Sequence, residues 1–284
     1  MRYSAVACSV LGVTLLAGLV NPVRAVPPLP TATASKTTAV TTAKPKPLRL
    51  KVYFMKNDKL AVAGRMVPST RAVGRAAMLQ LLSGPSAKEA ALGMTSCIPD
   101  KTRLLGLALA KGTATVDLSK PFESGGGSLS MTARLAQVVY TLSQFPTVSR
   151  VVFWLDGHRA TVFGGEGIVL EHPVTRASFE YVTPAILVEA PTPAEYVSSP
   201  VRFSGTANVF EGQFWAELTT SSGRVLVRRP IHATSGTGTR GTFSALLPYS
   251  NAKNRDGFLV TYDLSLKDGH REHVVRLPLK LSKS

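Results

Sequence analysis

Helical spacing stops near Glu180. Upstream of that point, Met131, Leu135, Val138, Leu142 and Phe145 recur at steps of four, three, four and three, one apolar stripe that Pro146 closes. Downstream no such stripe occurs. Val260, Tyr262, Leu264 and Leu266 alternate with Thr261, Asp263, Ser265 and Lys267, and Val275, Leu277, Leu279 and Leu281 repeat the two-residue period. Ser222-Gly223 and Asp268-Gly269 stand at hairpin positions. A chain whose halves obey different periods predicts two domains of different class, and 284 residues suit two domains of roughly 100–150.

The first domain is expected over 48–178. Leu50, Val52 and Phe54 alternate with charged or polar neighbours as a strand, and 60–67 give a second. Ser69-Thr70 reads as a helix cap, after which Ala72, Ala76, Leu79 and Leu82 keep helical spacing until Gly84-Pro85. Strands follow at 103–110 and 113–118 around a Lys111-Gly112 turn. The Met131–Phe145 helix comes next, and then a β-branched, aromatic strand from Val151 to Leu155 that turns at Asp156-Gly157. The order β-β-α-β-β-α-β predicts an α+β fold, a small sheet with both helices on one face. The second domain, 184–284, is expected to be a β-sandwich held by apolar packing, with Trp215 a candidate for its core.

The leader points to a compartment. Arg2 precedes the apolar run Ala5–Val20, Asn21-Pro22 break it, and Val23-Arg24-Ala25 offers small residues where a signal peptidase reads, so 1–25 is expected to be a secretory signal. An uncleaved membrane anchor is the other reading. No cysteine follows Leu15–Gly18, where a lipoprotein signal would carry one; Leu19 stands there. Residues 26–47, rich in Pro, Thr, Ala and Lys, read as a tether. Cleavage would leave Cys97 as the one cysteine, so no intramolecular disulfide is expected and Cys97 reads as a small apolar residue. The net charge is +16: three Lys and no acid in 26–47, 16 basic against 8 acidic residues in 48–178, and 12 against 9 in 179–284. The basic excess sits mainly in the first domain and its leader, and favours acidic partners.

Candidate chemistry is sparse. Gly125-Gly126-Gly127 before Ser128 could present helix N–H groups to an anion, but the Lys-Ser/Thr of a phosphate loop is missing and a plain helix start is preferred. His158, His172 and His232 are scattered. His270 and His273 flank Arg271-Glu272 and, three apart on a strand, point to opposite faces. No nucleophile elbow appears. Glu166, within Phe163-Gly164-Gly165-Glu166-Gly167, reads as part of a tight turn. Phe153-Trp154 and Phe214-Trp215 lie in apolar runs and read as core, whereas a nucleic-acid reader would interleave aromatic and basic residues on a sheet face. No catalytic, cofactor-binding or metal-ligating residue is assigned.

Several segments carry a family resemblance. Leu81–Pro85, Thr95–Pro99, Ala114–Ser119, Gly125–Ser128, Leu135–Leu142, Gln144-Phe145-Pro146 and Phe163–Gly167, in this order, resemble a GerMN domain. Ser199-Pro200-Val201, Ser204–Glu211 and Gly241–Ser244 are similar to the immunoglobulin-like domain of bacterial spore-germination proteins. The resemblance implies envelope modules of sporulation, germination or cell-surface work, with no catalytic residues and no cofactor. The function expected on this basis is that of an exported, non-enzymatic envelope scaffold or interaction protein. Its partners would be envelope proteins or further copies of itself, with binding of anionic wall polymer or peptidoglycan as the alternative. No nucleic-acid partner is expected, and membrane contact only through an uncleaved N-terminal segment.

Overall fold

The computed structural model describes residues 46–165, 167–250 and 255–282. The expected signal (1–25), nearly all of the tether and Glu166 lie outside the described residues. No helix among the described residues is long and apolar enough to cross a membrane.

The chain is an α+β assembly followed by a β-sandwich. In chain order the first part comprises β1 (Leu48–Lys56), β2 (Lys59–Val67), α1 (Val73–Leu82), α2 (Ala87–Ala91), β3 (Leu104–Ala110), β4 (Thr113–Leu118), α3 (Ser128–Leu142), β5 (Arg150–Leu155), β6 (His158–Arg159), β7 (Val162–Phe163) and β8 (Ile168–Val169). The second comprises β9 (Ile186–Ala190), β10 (Glu195–Val197), β11 (Val201–Ala207), β12 (Gln213–Thr220), β13 (Val225–His232), β14 (Gly241–Leu247), β15 (Arg255–Leu264) and β16 (Arg271–Leu281).

The first-domain strands do not all join. β1 and β2 form a hairpin of their own, while a second sheet runs β3-β4-β5-β6 with β4 and β5 parallel, as a helical crossover through α3 requires. Asn57 and Asp58 close the first hairpin with φ of 50° and 58°, the two left-handed residues of a tight two-residue turn. Lys111-Gly112 does the same for β3–β4 and Asp156-Gly157 for β5–β6.

α3 is buried on nearly every side, which the one-stripe reading did not anticipate. Its apolar residues fill the core, and its polar side is spent on β1. Gln137, fully buried, accepts from the Cys97 amide (2.9 Å) and donates to the Tyr53 carbonyl (3.1 Å). Thr141 accepts from the Tyr53 amide (3.3 Å), and Gln144 accepts from the Lys51 amide (2.8 Å) and donates to its carbonyl (2.6 Å). These side chains thus act as the missing neighbour strand, closing the edge of β1 that β2 leaves unpaired. Gln137→Leu is expected to cost about 2–4 kcal/mol, since each buried backbone group left without a partner costs about 1–3 kcal/mol. Urea unfolding checks this, and an unchanged midpoint would contradict the closure.

α1 turns a different face inward from the one its spacing suggested. Gly74, Ala77, Met78 and Leu81 are buried, whereas Leu79 is 47% exposed. The helix is apolar almost all round, so periodicity alone leaves its orientation undetermined. It starts at Val73 with Ala72 as cap and no side-chain cap bond; Thr70 instead accepts from the Ala72 amide. The short α2 carries a capping box, with Ser86 and Glu89 each accepting from the other's amide.

The sandwich packs a five-stranded sheet, β10-β16-β15-β12-β13, on a three-stranded one, β14-β11-β9. Phe203, Phe214, Phe243, Leu259, Leu277 and Leu279 build its core. Val275, Leu277, Leu279 and Leu281 face inward as their alternation suggests. On β15 the inward residue is Leu259, while Val260 and Tyr262 lie on the outer face. Leu264 and Leu266 are exposed.

Candidate functional site

The two domains meet through a shared strand. Along β9, Ile186 and Val188 enter the sandwich core, whereas Leu187 enters the first-domain core. Glu189 continues that second face into a partly buried polar cluster. Arg176 Nη1 donates to Glu189 (2.8 Å), the Tyr53 hydroxyl donates to the same carboxylate, and Arg176 Nε donates to Ser143 (2.7 Å). The guanidinium also lies 4.6 Å from the centre of the Tyr140 ring. Burial pushes the Glu189 carboxyl up, but Arg176, Lys51 and the two hydrogen bonds outweigh it, and its pKa is lowered. Burial and the Glu189 charge hold the Tyr53 hydroxyl well above its ordinary value, so it remains a donor. Nearby, Gly64 lies against the turn after β9, where a Cβ would stand 2.3 Å from Thr192 Oγ1. A second tie runs from Arg240 to Glu180 (2.8 Å).

Alongside this junction lies a groove of about 630 Å³. Leu60, Val62 and Met94 of the first domain and Ile186, Leu187 and Leu277 from β9 and β16 give it an apolar lining. Three sheet edges border it. Among the described residues β2 pairs only with β1, β9 only with β11, and β16 meets β10 only over Leu279–Leu281. Lys56, Lys59 and Arg276 line it, no Asp or Glu does, and among the described residues none of these three cations forms an ion pair. No residue singled out as chemical in the sequence lies there except His273, whose Nδ1 is 2.8 Å from Asp263. The groove is absent from sequence reasoning because it arises from strand edges that three distant segments bring together.

The other candidates disperse. His270 sits beside Asp268 (3.4 Å), not His273, and His158 contacts the Asp156 carbonyl. A bulge opposite Tyr262, with His273 at a φ of 49°, gathers Asp263, Glu272 and His273 so that a ligand atom from each lies within 4.8 Å of the others. Two of the three are exposed, and the His273–Asp263 contact accounts for the pair. At Gly125–Gly127 the Arg134 guanidinium lies under the loop and donates to the carbonyls of Phe122, Ser124 and Gly125, so the loop turns these acceptors toward an internal cation. Cys97 is half-buried, and burial raises its thiol pKa against the opposing effects of Ser130 and Arg134.

The aromatic residues correct the core assignment. Phe153 and Phe214 are core, but Trp154 is exposed and Trp215 lies on the outer face of the five-stranded sheet. There the guanidinium of Arg228 stacks on Trp215 (4.3 Å), Arg271 on Tyr262 (4.0 Å) and Arg276 on Phe258 (3.7 Å). One buried carboxylate, Glu217, binds Arg271 (2.8 Å) and the Tyr262 hydroxyl (2.6 Å).

Residues 51–161 match the family described as sporulation and spore germination, and residues 185–270 match the immunoglobulin-like domain of bacterial spore germination. Among solved structures, the tandem GerMN domains of the sporulation protein GerM from Bacillus subtilis align over 72% of this chain and 62% of theirs, at 13% identity and a TM-score of 0.41. The first GerMN domain of the same protein aligns over 46% of this chain and 98% of its own, at 19% identity and a TM-score of 0.41. No curated protein matches the chain in sequence. The chain therefore carries a domain of the sporulation and spore-germination family in its α+β part and an immunoglobulin-like domain of bacterial spore germination in its sandwich.

Proposed function

We propose that the protein is an exported, non-enzymatic scaffold of the cell envelope that engages a protein partner through the junction groove. The observation that carries this reading is the groove itself: apolar side chains, unpaired sheet edges and charges of one sign. That is the chemistry of polypeptide recognition, not of proton transfer, which needs an acid and a base brought to bear on the same substrate. Cross-linking in envelope fractions tests it. The unmodified chain is expected to recover defined envelope proteins, and Val274→Glu, at a groove residue 54% exposed, to reduce that recovery about tenfold, on the scale of a contact worth 1.4 kcal/mol. Leu266→Glu, on an exposed turn outside the groove lining, is the control. Equal recovery by both variants would remove the groove from the function. Export is tested separately by mass spectrometry of the mature N-terminus, expected to begin at Val26.

The stacked arginines on the sandwich favour a second reading, binding of anionic wall polymer. Stacking holds each guanidinium in place while Arg228 and Arg271 share the single carboxylate of Glu217 and Arg276 has no ion-pair partner among the described residues. Co-sedimentation with purified cell wall that disappears at high salt, and in Arg228→Ala/Arg276→Ala, would support it; salt-insensitive sedimentation would exclude it.

A further inference from the structure

The five-stranded sheet has an incomplete edge. β16 is eleven residues long, but β10 covers only its last three, Leu279–Leu281, in parallel register. Just beyond that stub the Ala194 amide donates to the Pro278 carbonyl (2.8 Å), so Pro278 turns its carbonyl toward the β10 side. Backbone direction alternates along a strand. The N–H and C=O of Arg276 and Val274 therefore point to the same side, where no strand of the described residues lies, and this stretch lines the groove. Pro278 has no N–H to offer and ends the usable edge. The bulge at His273 ends the regular edge on the other side, so the uncovered length, from Val274 to Leu277, fits an extended segment of about four residues at roughly 3.3 Å each.

We propose that the groove receives an acidic segment of a partner polypeptide, which pairs with the free edge of β16 and extends the line of β10. This names the partner chemistry for the interaction proposed above and rests on that reading. Strand addition explains why the edge is left uncovered beside apolar lining, since alternate side chains of the segment would enter the groove while the others faced out. Charge selects the occupant. Lys56, Lys59 and Arg276 are without carboxylate partners among the described residues, and no acid lines the groove. The chain's own 26–47 segment, with three Lys and no acid, has the wrong sign to fill it.

Fluorescence anisotropy with the full chain and labelled octapeptides tests this. The alternating Glu-Val octapeptide is expected to bind about tenfold or more tightly than its Lys-Val counterpart, and Lys59→Glu/Arg276→Glu to reverse that order. N-methylation of alternate amides in the Glu-Val peptide is expected to weaken binding about tenfold for one of the two alternating sets and to leave the other within about twofold, because only one edge of an added strand is bonded. Equal effects of the two sets, or binding of phosphatidylglycerol vesicles without binding of the peptide, would overturn strand addition. If the peptide fails while envelope proteins are still recovered by cross-linking, this inference falls and the scaffold reading stands; if the peptide binds and no envelope protein is recovered, the reverse holds.

Discussion

Glu189→Ala is expected to destabilise the protein by about 3 kcal/mol, the low end for a buried pair because water still reaches part of it, and to uncouple its two domains, because removing one partner of a partly buried ion pair leaves the other charge largely uncompensated. Arg176 is that charge. It keeps Ser143 and the Tyr140 ring, but loses the carboxylate that neutralises it, and the Tyr53 hydroxyl loses its acceptor. The site lies on β9, whose alternate residues belong to different cores, so the loss falls on the contact that makes the domains unfold together. Calorimetry is expected to show one transition for the unmodified chain and two for the variant. Glu189→Gln, which keeps an acceptor oxygen and loses only the charge, should fall between. The pH dependence follows from the lowered pKa of Glu189. A carboxylate whose folded pKa lies below its unfolded value, about 4.3 for Glu, stabilises the fold above that value and loses its contribution as pH falls through the folded pKa. The stability gap between the unmodified chain and Glu189→Gln should therefore be full near neutrality and shrink in acid. A gap constant down to strong acid would mean that the carboxylate is not what Arg176 depends on.

The same residues mark where sequence reasoning reached and where it stopped. The two periods separated an α+β fold from a sandwich, and Lys111-Gly112 and Asp156-Gly157 named their turns, because turn chemistry and burial act on near neighbours in the chain. Ser86 and Glu89, three residues apart, carry an equally local signal, the capping box of α2. Gln137, Thr141 and Gln144 are spaced as a polar face that ought to meet solvent; that they meet β1 depends on where the hairpin packs, which no local pattern encodes. Tyr262 and Trp215 look like core and lie on an outer face, since stacked arginines can cover aromatic surface as effectively as a second sheet. The groove was the least legible feature, for its chemistry is backbone edges, and these are defined by which strands fail to pair.

Arg134→Leu is the other substitution with a large expected cost, about 3–5 kcal/mol, and the reason is the number of groups that one side chain satisfies. Arg134 is 2% exposed and forms no ion pair among the described residues. Its N–H groups go instead to Phe122 O (2.7 Å), Ser124 O (3.1 Å), Gly125 O (2.8 Å), Ser130 O (3.4 Å) and Ser130 Oγ (3.1 Å), five bonds for five donors. Leucine fills much of the volume and satisfies none of these acceptors. Arg134→Lys supplies three donors on one atom and cannot span the same carbonyls, so it should recover only part of the loss. Gly126 belongs to the same device. It holds a φ of 86°, and a Cβ there would stand 2.8 Å from Arg134 Nη2, so Gly126→Ala should destabilise through both backbone strain and displacement of the guanidinium. Urea midpoints check the assignment: Arg134→Leu should lie below Arg134→Lys, and both, with Gly126→Ala, below the unmodified chain. Sulfate separates it from an anion site at the start of α3: a guanidinium already saturated by carbonyls gives sulfate nothing to bind, so the midpoint should show only the steady rise that exclusion of sulfate gives any protein, and a rise that saturated at millimolar sulfate in the unmodified chain and was lost in Arg134→Lys would show that the loop serves an external anion after all.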